Sequence, residues 1–346
     1  MRRSTFIFVV LGAVTVLVFL IVYNKIYVET TINKPAIFHV SQGDTVADIT
    51  NDLIRQGYIK NPNLFRRYVA FKKIDRLIQP GQFTVDPPVT IARIADALCA
   101  SLSKEERQIT IVPGWDLRQV AVYLVSEHPD SEAEFFSLVG TPAIVHADMT
   151  QMMFDPPVRV LQDKPNTISL EGYLRPDTYR IFEDATTEEI IEKLVRARDA
   201  QFTDQMYADI AKNGRTVHDV LTVASIVERE VLHDTDRAKV ADILWRRTDA
   251  GMGLNVDSSI HYFTGKRGDV FTTQVERNGD NPWNTYKWRG LPPGPISNPS
   301  LLSIMATIYP EKNSDWYFLT TLDTGEVVYG KTLDEHNGNV GRYLRD

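Results

Sequence analysis

Residues 216–232 read TVHDVLTVASIVEREVL. Thr216 followed by Asp219 matches a capping box, and apolar residues recur behind it at helical spacing. Taking Val217 as zero at about 100° per residue, Val220, Leu221, Ala224, Val227, Val231 and Leu232 point within about 80° of one direction. The stretch therefore predicts one amphipathic helix with a buried stripe. Glu228 falls at about 20° on the same wheel, inside that stripe, whereas Arg229 and Glu230 fall at about 120° and 220°, where solvent is expected. An ionised carboxylate among apolar side chains costs far more than a helix supplies, so it either pairs or takes up a proton. In a structural reading Glu228 pairs with an arginine of a neighbouring helix, such as Arg237 or Arg246. In a catalytic reading an apolar wall raises its pKa, so that it stays protonated near neutrality and donates to a leaving group, as glycosidic cleavage requires. A Glu228 locked to a guanidinium and remote from every cavity would count against the catalytic reading.

The chain of 346 residues, 43% of them hydrophobic, is long enough for two or three folded units with ordinary cores. Phe6 to Tyr23, FIFVVLGAVTVLVFLIVY, carries no charge and as a helix covers about 27 Å, close to the hydrocarbon thickness of a bilayer. It predicts a single transmembrane helix. Arg2 and Arg3 precede it and only Lys25 follows closely, which places the N-terminus in the cytoplasm and the remainder outside the cytoplasmic (inner) membrane. A cleaved signal peptide is the competing reading; its apolar core would be shorter, and no small-x-small cleavage site follows. The net charge is −7, and setting aside the cations Arg2, Arg3 and Lys25, with no acid before them, leaves −10 for the rest. That balance argues against nucleic acid as a partner. Cys99 is the only cysteine, so there is no internal disulfide and no cysteine-based metal site, and no two of the seven histidines lie at i, i+4. No cofactor or metal is expected.

The fold class expected is α+β. Residues 1–5 form the cytoplasmic N-terminus, 6–23 the membrane helix and 24–35 a tether. Residues 36–105 form a small α/β unit: alternating Phe38 and Val40, a Gly-Asp turn, helical spacing at Val46, Ile49 and Leu53, a helix near Asn61 to Phe71, a strand at Gln82 to Val85 and a helix beginning near Thr90. Residues 106–167 repeat the cadence in ITIVPGWDLRQVAVYL, strand, Pro113-Gly114 turn and helix. From about Ile168 to the end, 168–346, the chain reads as mainly helical. Thr186 with Glu189 caps one helix, Asp236 to Ala250 is another, Trp316 to Leu322 and Val327 to Tyr329 form a β-hairpin, and a last helix spans Leu333 to Leu344.

Four stretches set the context for Glu228: LEGYLRPDTYRI (170–181), ASIVERE (224–230), GMGLNVDSSIHY (251–262) and WNTYKWRGLPPGPISNP (283–299). In this order and spacing they resemble the endolytic murein transglycosylases, the YceG-like family, and the resemblance extends from about Ile37 to the C-terminus. It implies an N-terminal anchor, a LysM-like subdomain over 36–105 and a catalytic domain over 168–346. It also implies that Glu228 is the catalytic acid. The reaction implied is cleavage of the bond between N-acetylmuramic acid and N-acetylglucosamine within nascent peptidoglycan strands, which leaves 1,6-anhydromuramoyl ends and limits strand length. Peptidoglycan glycan strands, the membrane and peptidoglycan synthases are the partners expected. A non-catalytic wall-binding scaffold and a muramidase-type hydrolase are the alternatives.

Further candidates for substrate contact are Glu171, Asp177, Tyr179, Ser225, Asn255, Asp257, Asn284 and Tyr286. Glu171, Asp177 and Tyr179 line a sugar groove, or orient Glu228, or serve the turn around Pro176. Ser225 lies at the edge of the apolar face, within reach of Glu228. Asp257 more simply caps the helix starting at Ser258 or Ser259. Asn284 either binds an N-acetyl group or holds its own turn, and Trp283, Tyr286 and Trp288 offer apolar faces to sugar rings. The chain departs from the family pattern at Asn255, Ser258 and Trp283, where Gln, Pro and Tyr are usual. It also lacks a His-x-Phe in the hairpin, although His336 and Asn337 fit the following helix.

Overall fold

The computed structural model of the chain describes residues 14–28, 32, 34–41, 43–76, 78, 80–100, 106–127, 132–147, 152–266 and 271–344. Helix α1 (residues 14–23) is the described part of the uncharged N-terminal stretch. Among the described residues no helix is long and apolar enough to cross a membrane; residues 6–13 of the expected span lie outside them. The chain separates into two units, Met1–Glu106 and Arg107–Asp346.

In the first unit β1 (Ala36–Val40) is followed by α2 (Val46–Arg55), α3 (Pro62–Lys72), β2 (Gly81–Val85) and α4 (Ile91–Ala100). The strands pair antiparallel with Phe38 opposite Phe83, and their rings stack at 5.5 Å. Alternation puts Ala36, Phe38 and Val40 on the buried face, where Ile49, Leu53, Phe65, Val69, Ile94 and Leu98 meet them. Thr45 and Asp48 cap α2 reciprocally; Asn61 caps α3, which carries Pro62 at its first position, where a missing N–H costs nothing.

The second unit opens with β3 (Glu106–Ile111), α5 (Leu117–Glu127) and α6 (Glu132–Val139); β4 (Asp177–Phe182) pairs with β3. Helices α7 (Thr187–Asp199), α8 (Asp204–Lys212), α9 (Val217–Glu230), α10 (Asp234–Asp249), α11 (Asp257–Thr264), α12 (Gln274–Arg277) and α13 (Leu301–Ile308) come next. Strands β5 (Tyr317–Thr320) and β6 (Val327–Gly330) form the expected antiparallel hairpin, and α14 (Leu333–Tyr343) follows. The capping boxes at Thr186 and Thr216 form as the sequence predicts.

Helix α9 is the centre of this unit, with α8, α10, α11 and α13 packed around it. It is buried on more sides than an amphipathic stripe allows: Thr222, Val223 and Ile226, on the wheel's solvent face, are all no more than 1% exposed. The wheel describes one helix alone, and four neighbours cover its remaining sides. Burying each such Val or Ile contributes about 1.5–3 kcal/mol. Leu232 corrects the expectation in the other direction. The helix ends at Glu230, Val231 is extended, and Leu232 lies outside the stripe at 67% exposed.

Candidate functional site

Near the C-terminal end of α9, Glu228 does not meet an apolar wall. Its Oε2 lies 3.1 Å from Arg237 Nη1 of α10, with the two side chains 7% and 10% exposed. The same oxygen accepts from Ser300 N (3.0 Å), Ser300 Oγ (2.7 Å) and Ser303 Oγ (2.7 Å). Ser300 is the N-cap of α13, so the carboxylate occupies the end of that helix where unpaired N–H groups and the dipole attract negative charge. Arg237 is fixed in turn by Asp234 (2.9 Å to Nε) and by Ser303 Oγ. The expected acid in a greasy recess is therefore corrected: the carboxylate sits in a polar cradle and is paired with Arg237, the partner that the structural reading expected. Arg246, the other guanidinium considered, binds Asp242 and Asn313.

The cradle is one-sided. All four contacts fall on Oε2; among the described residues none falls on Oε1. On the other flank Gly114, at φ +81°, brings backbone against the side chain, and a Cβ there would stand 3.7 Å from Glu228 Cγ. Arg229 Nη1 donates to Gly114 O at 3.4 Å and holds the turn in place.

Ser300 reaches Glu228 because residues 295–300 are clamped along α9. Ser225, fully buried, accepts from Ile296 N (2.9 Å) through Oγ and from Ser297 Oγ (3.2 Å) through its carbonyl. Asn298 accepts from Leu174 N (3.1 Å), donates to Trp115 O (3.1 Å) and Glu171 Oε1 (3.4 Å), and its carbonyl accepts from Gly114 N (2.9 Å). Arg198, wholly buried, donates to Leu174 O (3.2 Å) and Pro299 O (2.8 Å); burial lowers its pKa to about 9. Gly172, at φ +85°, lies so close that a Cβ would stand 2.6 Å from Pro295. Three of the four sequence stretches thus interlock around one segment.

Several expected contacts become structural in this arrangement. Glu171 is fully buried and lines no open groove; it accepts from Leu117 N (3.1 Å) at the start of α5. Burial, and then repulsion from Asp116, push its carboxyl well above the usual carboxylate range. Asp177 pairs with Arg175 (2.6 Å), and the Tyr179 hydroxyl donates to Arg175 O (2.7 Å), so both serve the turn around Pro176. Ser225 binds backbone instead of reaching the Glu228 carboxylate. Asn284 is wholly buried and donates to Arg277 O and Gly279 O while accepting from Tyr286 N and Lys287 N. Its polar capacity is used within its own turn. Trp283 is core, 1% exposed, with its indole N–H on Gly294 O; Trp288 stays exposed.

The remaining stretch, 251–262, builds a second polar group beside the end of α9. Asp257 is the first residue of α11 and does not cap it. Its Oδ1 accepts from Tyr286 Oη (2.7 Å) and Thr272 Oγ1 (2.5 Å), with Arg277 at 3.6 Å. Glu230, which the wheel sends to solvent, accepts from Ser258 N at 3.2 Å, and burial raises its carboxyl above the usual range. Asn255 is exposed in the left-handed region at φ 54°, its N–H on Thr285 O. The structure therefore keeps Asp257, Tyr286 and Glu230 together and leaves Glu171, Tyr179, Ser225 and Asn284 as supports. Ser300, Ser303 and Asn298 were not singled out in the sequence. A Ser before the apolar run LLSIMATI is the N-cap signal that marks Ser300. A recess of about 210 Å³ between β4 and α7, lined by Ile181, Phe182, Ala185, Glu189, Ile190 and Lys193, contains none of these residues. Among the described residues no group of His, Cys, Asp and Glu is arranged to hold a metal ion.

The model of the YceG-like family matches residues 38–342. A Bacillus subtilis protein named endolytic murein transglycosylase is 30% identical over 321 residues, which span 91% of this chain and 86% of that protein. A Streptococcus pneumoniae protein of the same name is 28% identical over 323 residues, 88% of this chain and 58% of its own length. A crystal structure of a yceG-like protein from Listeria monocytogenes superposes with a TM-score of 0.57 at 29% identity and covers 89% of this chain and all of the other.

Proposed function

The chain belongs to the YceG-like family, and on that premise we propose that it is an endolytic murein transglycosylase with Glu228 as its acid and base. The reaction cleaves the glycosidic bond between N-acetylmuramic acid and N-acetylglucosamine within a peptidoglycan strand. Glu228 gives a proton to the glycosidic oxygen as the bond to C1 breaks. The muramoyl 6-hydroxyl oxygen then attacks C1, and its proton passes to the carboxylate. A 1,6-anhydromuramoyl end and a free N-acetylglucosamine hydroxyl result, with no water consumed. Because the nucleophile belongs to the substrate, one carboxylate suffices.

The observation that carries this reading is the asymmetry of Glu228: Oε2 is saturated by donors, and Oε1, which no donor among the described residues reaches, is left to exchange a proton with the glycan. Arg237, 3.1 Å from Oε2, offsets the negative charge that develops on the carboxylate once its proton has passed to the leaving group.

Within the same reading, residues 6–23 anchor the chain by a single pass in the cytoplasmic membrane. Residues 168–346 act outside it, beside peptidoglycan synthases, and residues 36–105 form the LysM-like unit. The uncharged run and the flanking Arg2 and Arg3 support the anchor. The deciding experiment incubates the purified full chain, in detergent, with sacculi and with peptide-free glycan and identifies the products by mass spectrometry. Anhydro ends support the reading; reducing ends indicate a hydrolase, and intact strands a scaffold. Glu230, held by Ser258 N and with its carboxyl raised by burial, comes nearer than Glu228 to the setting expected of a proton donor. A Glu230→Gln variant that loses cleavage while Glu228→Gln keeps it would transfer the role.

A further inference from the structure

We propose that Arg237 is the positioning residue that selects which oxygen of Glu228 reacts and sets the pH window of the reaction; this rests on the transglycosylase reading above. Arg237 stands 3.1 Å from Oε2 and shares Ser303 Oγ with it. Its Nε is tied to Asp234, so the guanidinium cannot swing to Oε1 without giving up that partner. With Oε2 also filled by Ser300 N and Oγ, the proton exchanged with the glycan is carried on Oε1. Arginine stays charged through the whole working range, so the contact keeps its sign throughout.

The other charged groups around the carboxylate act more weakly or are already engaged. On α9 itself Arg229 is exposed and bound to Gly114 O, and Glu230 is turned toward Ser258 N. From α10, Asp234 is paired with Arg237; from α7, the buried Arg198 feels Glu228 but bonds to the Leu174 and Pro299 carbonyls. From α11, Asp257 is held by Tyr286, Thr272 and Arg277. Arg237 is thus the cation in direct contact with the reacting group.

The test is the pH dependence of anhydro-product formation by the full chain, read as the alkaline limb where the protonated acid is lost. In Arg237→Met the limb moves upward by about one pH unit, since an opposite charge at this range lowers a carboxylate by about 1–3 units. In Arg237→Lys, which keeps the charge, the limb stays within a few tenths of a unit of wild type while the rate falls. A merely structural arginine would lower the rate in both variants and leave the limb unmoved, and that result in folded Arg237→Met overturns the proposal. Where Arg237→Met does not fold, Arg237→Gln decides. It removes the charge and keeps a polar donor near Oε2, so the limb moves upward by about one pH unit; an unmoved limb overturns the proposal. Wild-type protein that forms no anhydro ends removes the reaction itself, whereas anhydro ends with an unmoved limb in the variant remove only the role of Arg237.

Discussion

Glu171 and Glu228 each meet the first turn of a helix, Glu171 at Leu117 of α5 and Glu228 at Ser300 of α13. Both receive a backbone N–H and both touch the segment 295–300, Glu171 through Asn298 and Glu228 through Ser300. They differ in charge environment. Glu171 is fully buried beside Asp116, so ionisation is doubly opposed, and its oxygens serve as a hydrogen-bonding strut for Leu117 N and Asn298. Glu228 faces Arg237, keeps 7% of its side chain exposed and, among the described residues, has no donor on Oε1. Burial alone therefore does not make a proton donor: the strut has the burial that the catalytic reading first sought, and the candidate catalyst has a counter-charge and an open oxygen.

Glu228→Gln gives the largest expected effect. Anhydro-product formation falls by about 10²–10⁴-fold, the range assigned to general acid–base groups, while circular dichroism stays that of wild type. Activity within tenfold of wild type would put Glu228 in the same class as Glu171. Asn298→Ala tests the link between the two sites, because it strips the Leu174 N–H, the Trp115 carbonyl and Glu171 of one partner each. A loss of about 2–3 kcal/mol in denaturant unfolding is expected, with slower cleavage as Ser300 loses its placement. An unchanged midpoint would show that the clamp is not what holds residue 300.

Asn284→Ala separates support from substrate contact within the fourth stretch. It costs about 1–3 kcal/mol of stability and leaves glycan KM unchanged; a raised KM with unchanged stability would restore Asn284 as a contact for an N-acetyl group. Glu171→Gln gives the smallest effect at low pH and sharpens the comparison as pH rises. The folded state holds the Glu171 proton above about 4.5, where the unfolded chain releases it, so this contribution is present below that pH and is lost as pH rises through the folded value. Glutamine cannot titrate. The stability of Glu171→Gln relative to wild type should therefore increase between pH 5 and pH 8 in parallel denaturant melts, and a constant difference would show that Glu171 is ionised in its buried site.

Most elements were legible because their signals are local. Thr45, Thr186 and Thr216 each pair with an acid three residues on, and Phe38 and Val40 alternate as one face of a strand requires. Helix α13 was less legible because Ser300 follows a proline-rich run that reads as loop. Its partnership with Glu228 spans 72 residues of sequence, beyond any local pattern. The family resemblance assigns Asn284 to substrate, and the helical wheel sets Ser225 within reach of Glu228. Only the fold shows the backbone groups that already occupy them.

Sequence by itself determined that a carboxylate at position 228 would point inward among apolar residues of a central helix, and that four separated stretches belonged to one kind of enzyme. Tertiary structure decided what waits there: Arg237 from α10 and Ser300 and Ser303 from α13. A helical wheel reports direction, and direction sets desolvation. Charge pairing is set by whichever groups neighbouring helices bring within about 3–4 Å, and that follows from packing rather than from periodicity.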